Sequence, residues 1–130
     1  MVVPARTSFP VAKYIKFSTS DSNLEVGDLV ALDRSNDNSV IRCDASDENK
    51  MPAIGIAKSV GATSAIIQVD HSYRVPYTVT LTRGESVYAD PDSAGKITNL
   101  VPVSGNLQKI GNAQNSNTIL LSFDNLIITL

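Results

Sequence analysis

Short apolar runs separated by turn chemistry occupy the chain from Leu24 onward, and none keeps a 3.6-residue period over eleven or more residues. Val26 opens onto Gly27-Asp28, after which Leu29-Val30-Ala31-Leu32 reads as a buried strand. The polar stretch from Asp33 to Ser39 predicts a turn, Val40-Ile41-Arg42-Cys43 a returning strand, and residues 44–50 a polar loop. Ala53 to Ala57 and Ala65 to Val69 predict two further strands joined around Gly61. The clearest alternation sets Tyr73, Val75, Tyr77, Val79 and Leu81 on one side and Arg74, Pro76, Thr78, Thr80 and Thr82 on the other. That is a half-buried strand, with Pro76 at an edge or bulge because proline has no ladder donor. Near the end, Ile119 to Phe123 and Leu126 to Leu130 flank Asp124-Asn125, which predicts a tight hairpin. Residues 1–23 carry Pro4, Pro10 and Ser/Thr clusters around a short alternation from Val11 to Phe17, and read as an extended N-terminal arm.

An internal repeat organises the rest. Gly27-Asp28-Leu29-Val30-Ala31-Leu32-Asp33 matches Gly84-Glu85-Ser86-Val87-Tyr88-Ala89-Asp90, and Val40-Ile41-Arg42 corresponds to Lys96-Ile97-Thr98. Ile54-Gly55-Ile56-Ala57 then matches Ile110-Gly111-Asn112-Ala113, and Ile66-Ile67-Gln68-Val69 matches Ile119-Leu120-Leu121-Ser122. The repeats span about 24–69 and 84–123 of a domain running from 24 to 130. Neither half buries its apolar face alone, so the expectation is an all-β fold, either a small β-barrel or a jelly-roll-like sandwich. Composition agrees: Val and Ile supply 24 residues and Thr nine, side chains that suit pleated surfaces better than helices.

Length and charge narrow the function. One compact domain fits 130 residues, and a chain of this size needs no disulfide or metal staple. A net charge of −2 argues against nucleic acid, which demands a dense basic face. No apolar run approaches the ~20 residues that a bilayer requires, so no membrane partner is expected. The start lacks a basic region followed by an apolar one, so no signal peptide is expected and synthesis would be cytoplasmic.

Catalytic chemistry is nearly absent from the pattern. His71 is the single histidine, within Asp70-His71-Ser72, and side chains adjacent on a strand face opposite ways, so this trio makes no triad by adjacency. Cys43 has no partner cysteine and reads as a small buried hydrophobe. Asp33, Ser35, Asp37, Ser39 and Asp44 occupy positions 1, 3, 5, 7 and 12 of a calcium-loop frame. Yet Asn38 stands where the frame needs glycine, Asp44 where it needs glutamate, and no helix flanks it. Asp90 to Gly95 is a similar acidic turn, and hairpin chemistry explains both. The expectation is therefore no enzyme, no catalytic residue, no metal and no cofactor.

The duplicated Gly-Asp/Glu-x-Val, Ile-Gly-x-Ala and Ile-x-Leu segments, in an acidic β protein of this length, resemble the small capsid cement or decoration proteins of tailed bacteriophages. The resemblance covers roughly residues 24–123. It implies a structural virion protein on the outer capsid surface, partnered by the major capsid protein and by itself, as a homotrimer in preference to a homodimer. Such a protein reinforces contacts between capsid subunits, and repetition of modest contacts through an oligomer raises its effective affinity. Within that reading, Val2, Val3, Pro4, Arg6, Phe9 and Pro10 of the arm are the capsid-binding candidates. The last strand, Leu126-Ile127-Ile128-Thr129-Leu130, is apolar on both faces, and Leu126, Ile128 and Leu130 belong either to the core, the preferred reading, or to an oligomer interface. The alternative is a head-fibre or tail-associated module that binds carbohydrate or a receptor. Sugar platforms want exposed aromatics, and the chain has no Trp and seven other aromatic residues.

Overall fold

A computed structural model describes residues 12–130, and every element of note in it is a strand. The first sheet contains β1 (Tyr14–Ser18), β2 (Leu29–Leu32), β3 (Val40–Arg42), β4 (Ala53–Val60) and β5 (Ser64–Gln68). The second contains β6 (His71–Arg74), β7 (Ser86–Ala89), β8 (Ile97–Thr98), β10 (Lys109–Ala113) and β11 (Thr118–Leu121). A two-stranded ladder joins β9 (Asn106–Leu107) to β12 (Ile128–Thr129), and Glu48–Lys50 is a single 3-10 turn. All ladders are antiparallel, and the fold is all-β as expected.

The strand orders are β1-β5-β4-β2-β3 and β6-β11-β10-β7-β8, so each strand of one sheet has a counterpart at the same place in the other. Finer details coincide. Val30 faces Gly55 and Val87 faces Gly111, with a bulge at the next pair in both ladders. Gly27 and Gly84 sit at φ 92 and 89°, a left-handed turn that only glycine enters freely. Behind them, Asp28 Oδ2 accepts from Glu25 N–H at 2.9 Å and Glu85 Oε1 from Thr82 N–H at 3.0 Å.

Register moves two of the expected matches by one residue. Ile67 lies opposite Ala57, and Ile119 opposite Ala113, so Ile67 rather than Ile66 is the positional counterpart of Ile119. Likewise Val40 pairs with Leu32 and Ile97 with Ala89, so Ile97 rather than Lys96 stands where Val40 stands. A one-residue slip reverses every side chain between faces, and burial decides it: Val40, Ile67 and Ile119 are all fully buried.

The sheets are not closed into a barrel, and a sandwich-like arrangement is compatible with them. The edges of the first sheet touch through one isolated bridge between Ser18 and Ser39, a contact rather than a ladder. That sheet is buried on both faces. One face carries Val30, Val40, Ala57, Ala65 and Ile67, with Leu24 buried in the same cluster and Phe17 and Val60, both paired with Ala65, packed against it. The other carries Leu29, Ala31, Ala53 and Ile56, which join Val87, Ala89, Ile110, Ala113 and Ile119 of the second sheet in the main core. Tyr73, Val75 and Leu81 close it. In the second sheet the positions corresponding to the buried Leu29, Ala31 and Ile56 hold Ser86, Tyr88 and Asn112, which are only half-buried.

Three expectations from the chain pattern change. Residues 14–18 of the expected arm form β1, paired with β5 from Tyr14–Gln68 to Ser18–Ser64, so the sheet domain begins well before Leu24. The alternation over 73–82 faces the core as expected, but only 71–74 is laddered; beyond it Val75 and Leu81 donate singly to Asn117 and Ser116 carbonyls. No two-residue hairpin links β11 to β12. Asp124 Oδ1 accepts from Leu126 N–H at 3.0 Å, and the turned chain delivers β12 to β9 instead.

Candidate functional site

The acidic turns spend their carboxylates on their own backbone. Asp33 accepts from Ser35 N–H and from Asn36 Nδ2, and these two bonds, the Asn36 side chain first, hold its carboxyl below the usual range. Asp44 Oδ1 accepts from both the N–H and the hydroxyl of Ser46, and Asp90 Oδ1 from Asp92 N–H. Asp33 and Asp44 of the calcium frame are thereby turn formers, and among the described residues no three His, Cys, Asp or Glu side chains gather to hold a metal ion.

His71 occupies the link between the sheets with φ 63°, its Nδ1 2.7 Å from Asp70 Oδ1. The Lys13 backbone N–H, and after it His71, hold the Asp70 carboxyl low. Ser72 faces away, its hydroxyl donating to Gln114 Oε1 at 2.6 Å, so Asp70, His71 and Ser72 converge on no common point. Buried Gln68 donates to the carbonyls of Asp70 and Ser72, both at 2.8 Å, and pins this link. Cys43 lies in the main core 3.1 Å from Met51 Sδ, and burial pushes its thiol up to about 12, which removes it as a nucleophile at neutral pH.

Two polar clamps join the halves, and the chain pattern revealed neither. Fully buried Asp28 accepts from Lys96 Nζ at 2.6 Å, while that ammonium lies 5.0 Å from the centre of the Tyr77 ring. Fully buried Gln108 treats Ala53 as a neighbouring strand: its Oε1 accepts from Ala53 N–H at 2.7 Å and its Nε2 donates to Ala53 O at 2.8 Å. The second Nε2 proton goes to Asp124 O at 2.8 Å. Nothing in a one-dimensional pattern distinguishes such an amide from the surface amides of this Asn-rich chain.

The surface feature that stands out is apolar. Leu100, Val101 and Val103 are exposed by 74, 62 and 92%, in the loop that leads to β9. Leu126, Ile128 and Leu130 are exposed by 64, 47 and 51% around β12. The two segments meet where Leu130 N–H donates to Gly105 O and Ile128 pairs with Leu107. Residues 97–108 and 125–130 contain no charged side chain. Asp90 and Asp92 line a recess beside Leu100, Val101 and Val103, while Glu48 lines another beside Leu130, so acidic groups rim an uncharged centre.

The C-terminal strand is therefore not a core strand: its ladder is two residues long, its apolar side chains are exposed, and only Ile127 leans on the core. The 100–103 loop was missed because the sequence gives it no period, and only its lack of charge marks it. The capsid-binding candidates Val2, Val3, Pro4, Arg6, Phe9 and Pro10 lie outside the described residues. Comparison with known proteins finds no family model, no curated protein and no solved structure that matches this chain.

Proposed function

We propose that the protein is a structural, non-enzymatic component of a phage virion that binds the outer capsid surface and stabilises contacts between major capsid protein subunits. In this reading it acts as a homo-oligomer, a trimer rather than a dimer, and its two sheets are copies of one duplicated unit. The observation that carries the reading is the uncharged apolar margin built from the 100–103 loop and the β12 segment. Exposed aliphatic patches with a polar rim mark protein contacts, since keeping them in water costs free energy that a partner relieves. The duplicated strand order and the two buried clamps add a rigid body, which loses little entropy when it docks. Residues 1–10, whose sequence carries apolar Val2, Val3 and Phe9 together with Arg6, supply the contact with the capsid, while the margin serves contact between copies of the chain.

Co-sedimentation of the purified protein with expanded, undecorated phage heads tests the proposal. Saturable binding with a rise in the melting temperature of the heads is the expected result, and deletion of residues 2–10 is expected to lower occupancy. Heads that neither bind the protein nor gain stability would overturn it, and glycan binding would then be the next search.

A further inference from the structure

We infer that the apolar margin is the surface by which one copy of the chain docks on a second copy, with the 100–103 loop as its principal element. The inference rests on the homo-oligomer reading and assigns it residues that the strand pattern did not single out. Three properties of the margin select a second copy as the occupant.

The first is charge. A chain of net charge −2 that meets itself brings like charges together unless the contact surface carries none. Residues 97–108 and 125–130 carry no charged side chain, and the acidic side chains Asp90, Asp92 and Glu48 stand at the rim, where water screens them.

The second is area. At about 100 Å² for a full aliphatic side chain, the six exposed residues present roughly 400 Å² of apolar surface. One partner in a standard interface contributes about 800 Å², a little over half of it apolar. The margin thus supplies most of the apolar share of one such contact without rearrangement of the fold.

The third is the backbone. β12 pairs only with β9, while Asn106 N–H and Nδ2 on the far side of β9 both bond to Ala45 O. Among the described residues no strand lies along the outer edge of β12, and an apolar edge strand invites addition of another copy.

Sedimentation velocity of the full chain over a range of concentrations tests this, with three variants. Val103→Asp and Ile128→Asp place a carboxylate within the margin, and Val103 is exposed enough that its replacement leaves the folded chain intact. Leu120→Asp is the control: Leu120 is 52% exposed beside Arg83, Gly84, Asn112 and Gln114, none of which lines the margin. The expected result is a wild-type oligomer, self-association weakened at least about tenfold by either margin variant, and no change with Leu120→Asp. Equal melting curves for the variant monomers show that the fold is kept. A wild-type protein that is monomeric at every concentration, or an oligomer indifferent to both margin variants, or one equally sensitive to Leu120→Asp, overturns the inference. Failure to bind phage heads with a margin-dependent oligomer intact would sink the capsid reading alone.

Discussion

Replacing Gln108 with leucine removes one side-chain amide and takes its bonds from two buried backbone groups of Ala53 and from the part-buried Asp124 carbonyl. Gln108 is fully buried, and Ala53, whose N–H and C=O it satisfies, is 2% exposed. Water cannot reach the orphaned Ala53 N–H, and an unsatisfied buried donor costs about 1–3 kcal/mol. The Ala53 and Asp124 carbonyls lose bonds as well, though each keeps a second lone pair and costs less. Leucine fills nearly the same volume, so no large cavity term offsets or adds to this sum. The expected loss is about 3–4 kcal/mol, a large fraction of the ~5–15 kcal/mol that stabilises a typical domain. Urea unfolding followed by far-UV circular dichroism reads it as a lower midpoint with an unchanged slope. Gln114→Leu is the comparison, because its partner Ser72 is exposed and water replaces the lost bond, so less than about 1 kcal/mol is expected there. A loss below about 1 kcal/mol for Gln108→Leu would refute the view that this amide serves as a surrogate strand between the halves.

Lys96→Met strips Asp28 of its cation while the carboxylate stays fully buried. An expected loss of about 2–3 kcal/mol in urea melts should exceed that of Asp28→Asn, which keeps an acceptor for Glu25 N–H. Gly55→Ala and Gly111→Ala each drive a new methyl into the adjoining strand, against Ile67 Cγ2 and the Gln68 carbonyl or against the Leu120 carbonyl. Thermal melts should show both more damaging than Gly61→Ala, whose nearest neighbour stands at 3.4 Å. Burial raises the phenols of Tyr73 and Tyr77 to about 12. The unfolded chain ionises them near 10, so their contribution is complete below pH 10 and declines as pH rises through 12. A spectrophotometric titration in which no phenol ionises above pH 11 contradicts that burial.

The chain pattern by itself determined the class of fold, because β-branched residues in short runs between turn formers have no helical alternative to satisfy. The Gly-Asp/Glu turns and Ile-Gly-x-Ala strands were legible too, since each answers a local demand: a positive φ at Gly27 and Gly84, and close strand approach at Gly55 and Gly111. Cys43 as a core residue was legible for the same reason, as was the facing of Tyr73, Val75 and Leu81. Ladder partners were not. Whether Ile66 or Ile67 stands in the place that Ile119 occupies depends on a one-residue register, and both are apolar, so only packing distinguishes them. The destination of β12 was equally hidden, because pairing with β9 instead of β11 follows from how the Asp124 turn and Gln108 hold the intervening chain. Exposure was the last thing to emerge. A run such as Leu126 to Leu130 has the composition of a core strand, and burial depends on what the rest of the molecule places over it. Here nothing in the described residues covers Leu126, Ile128 and Leu130, so tertiary structure turned an apolar sequence into a surface.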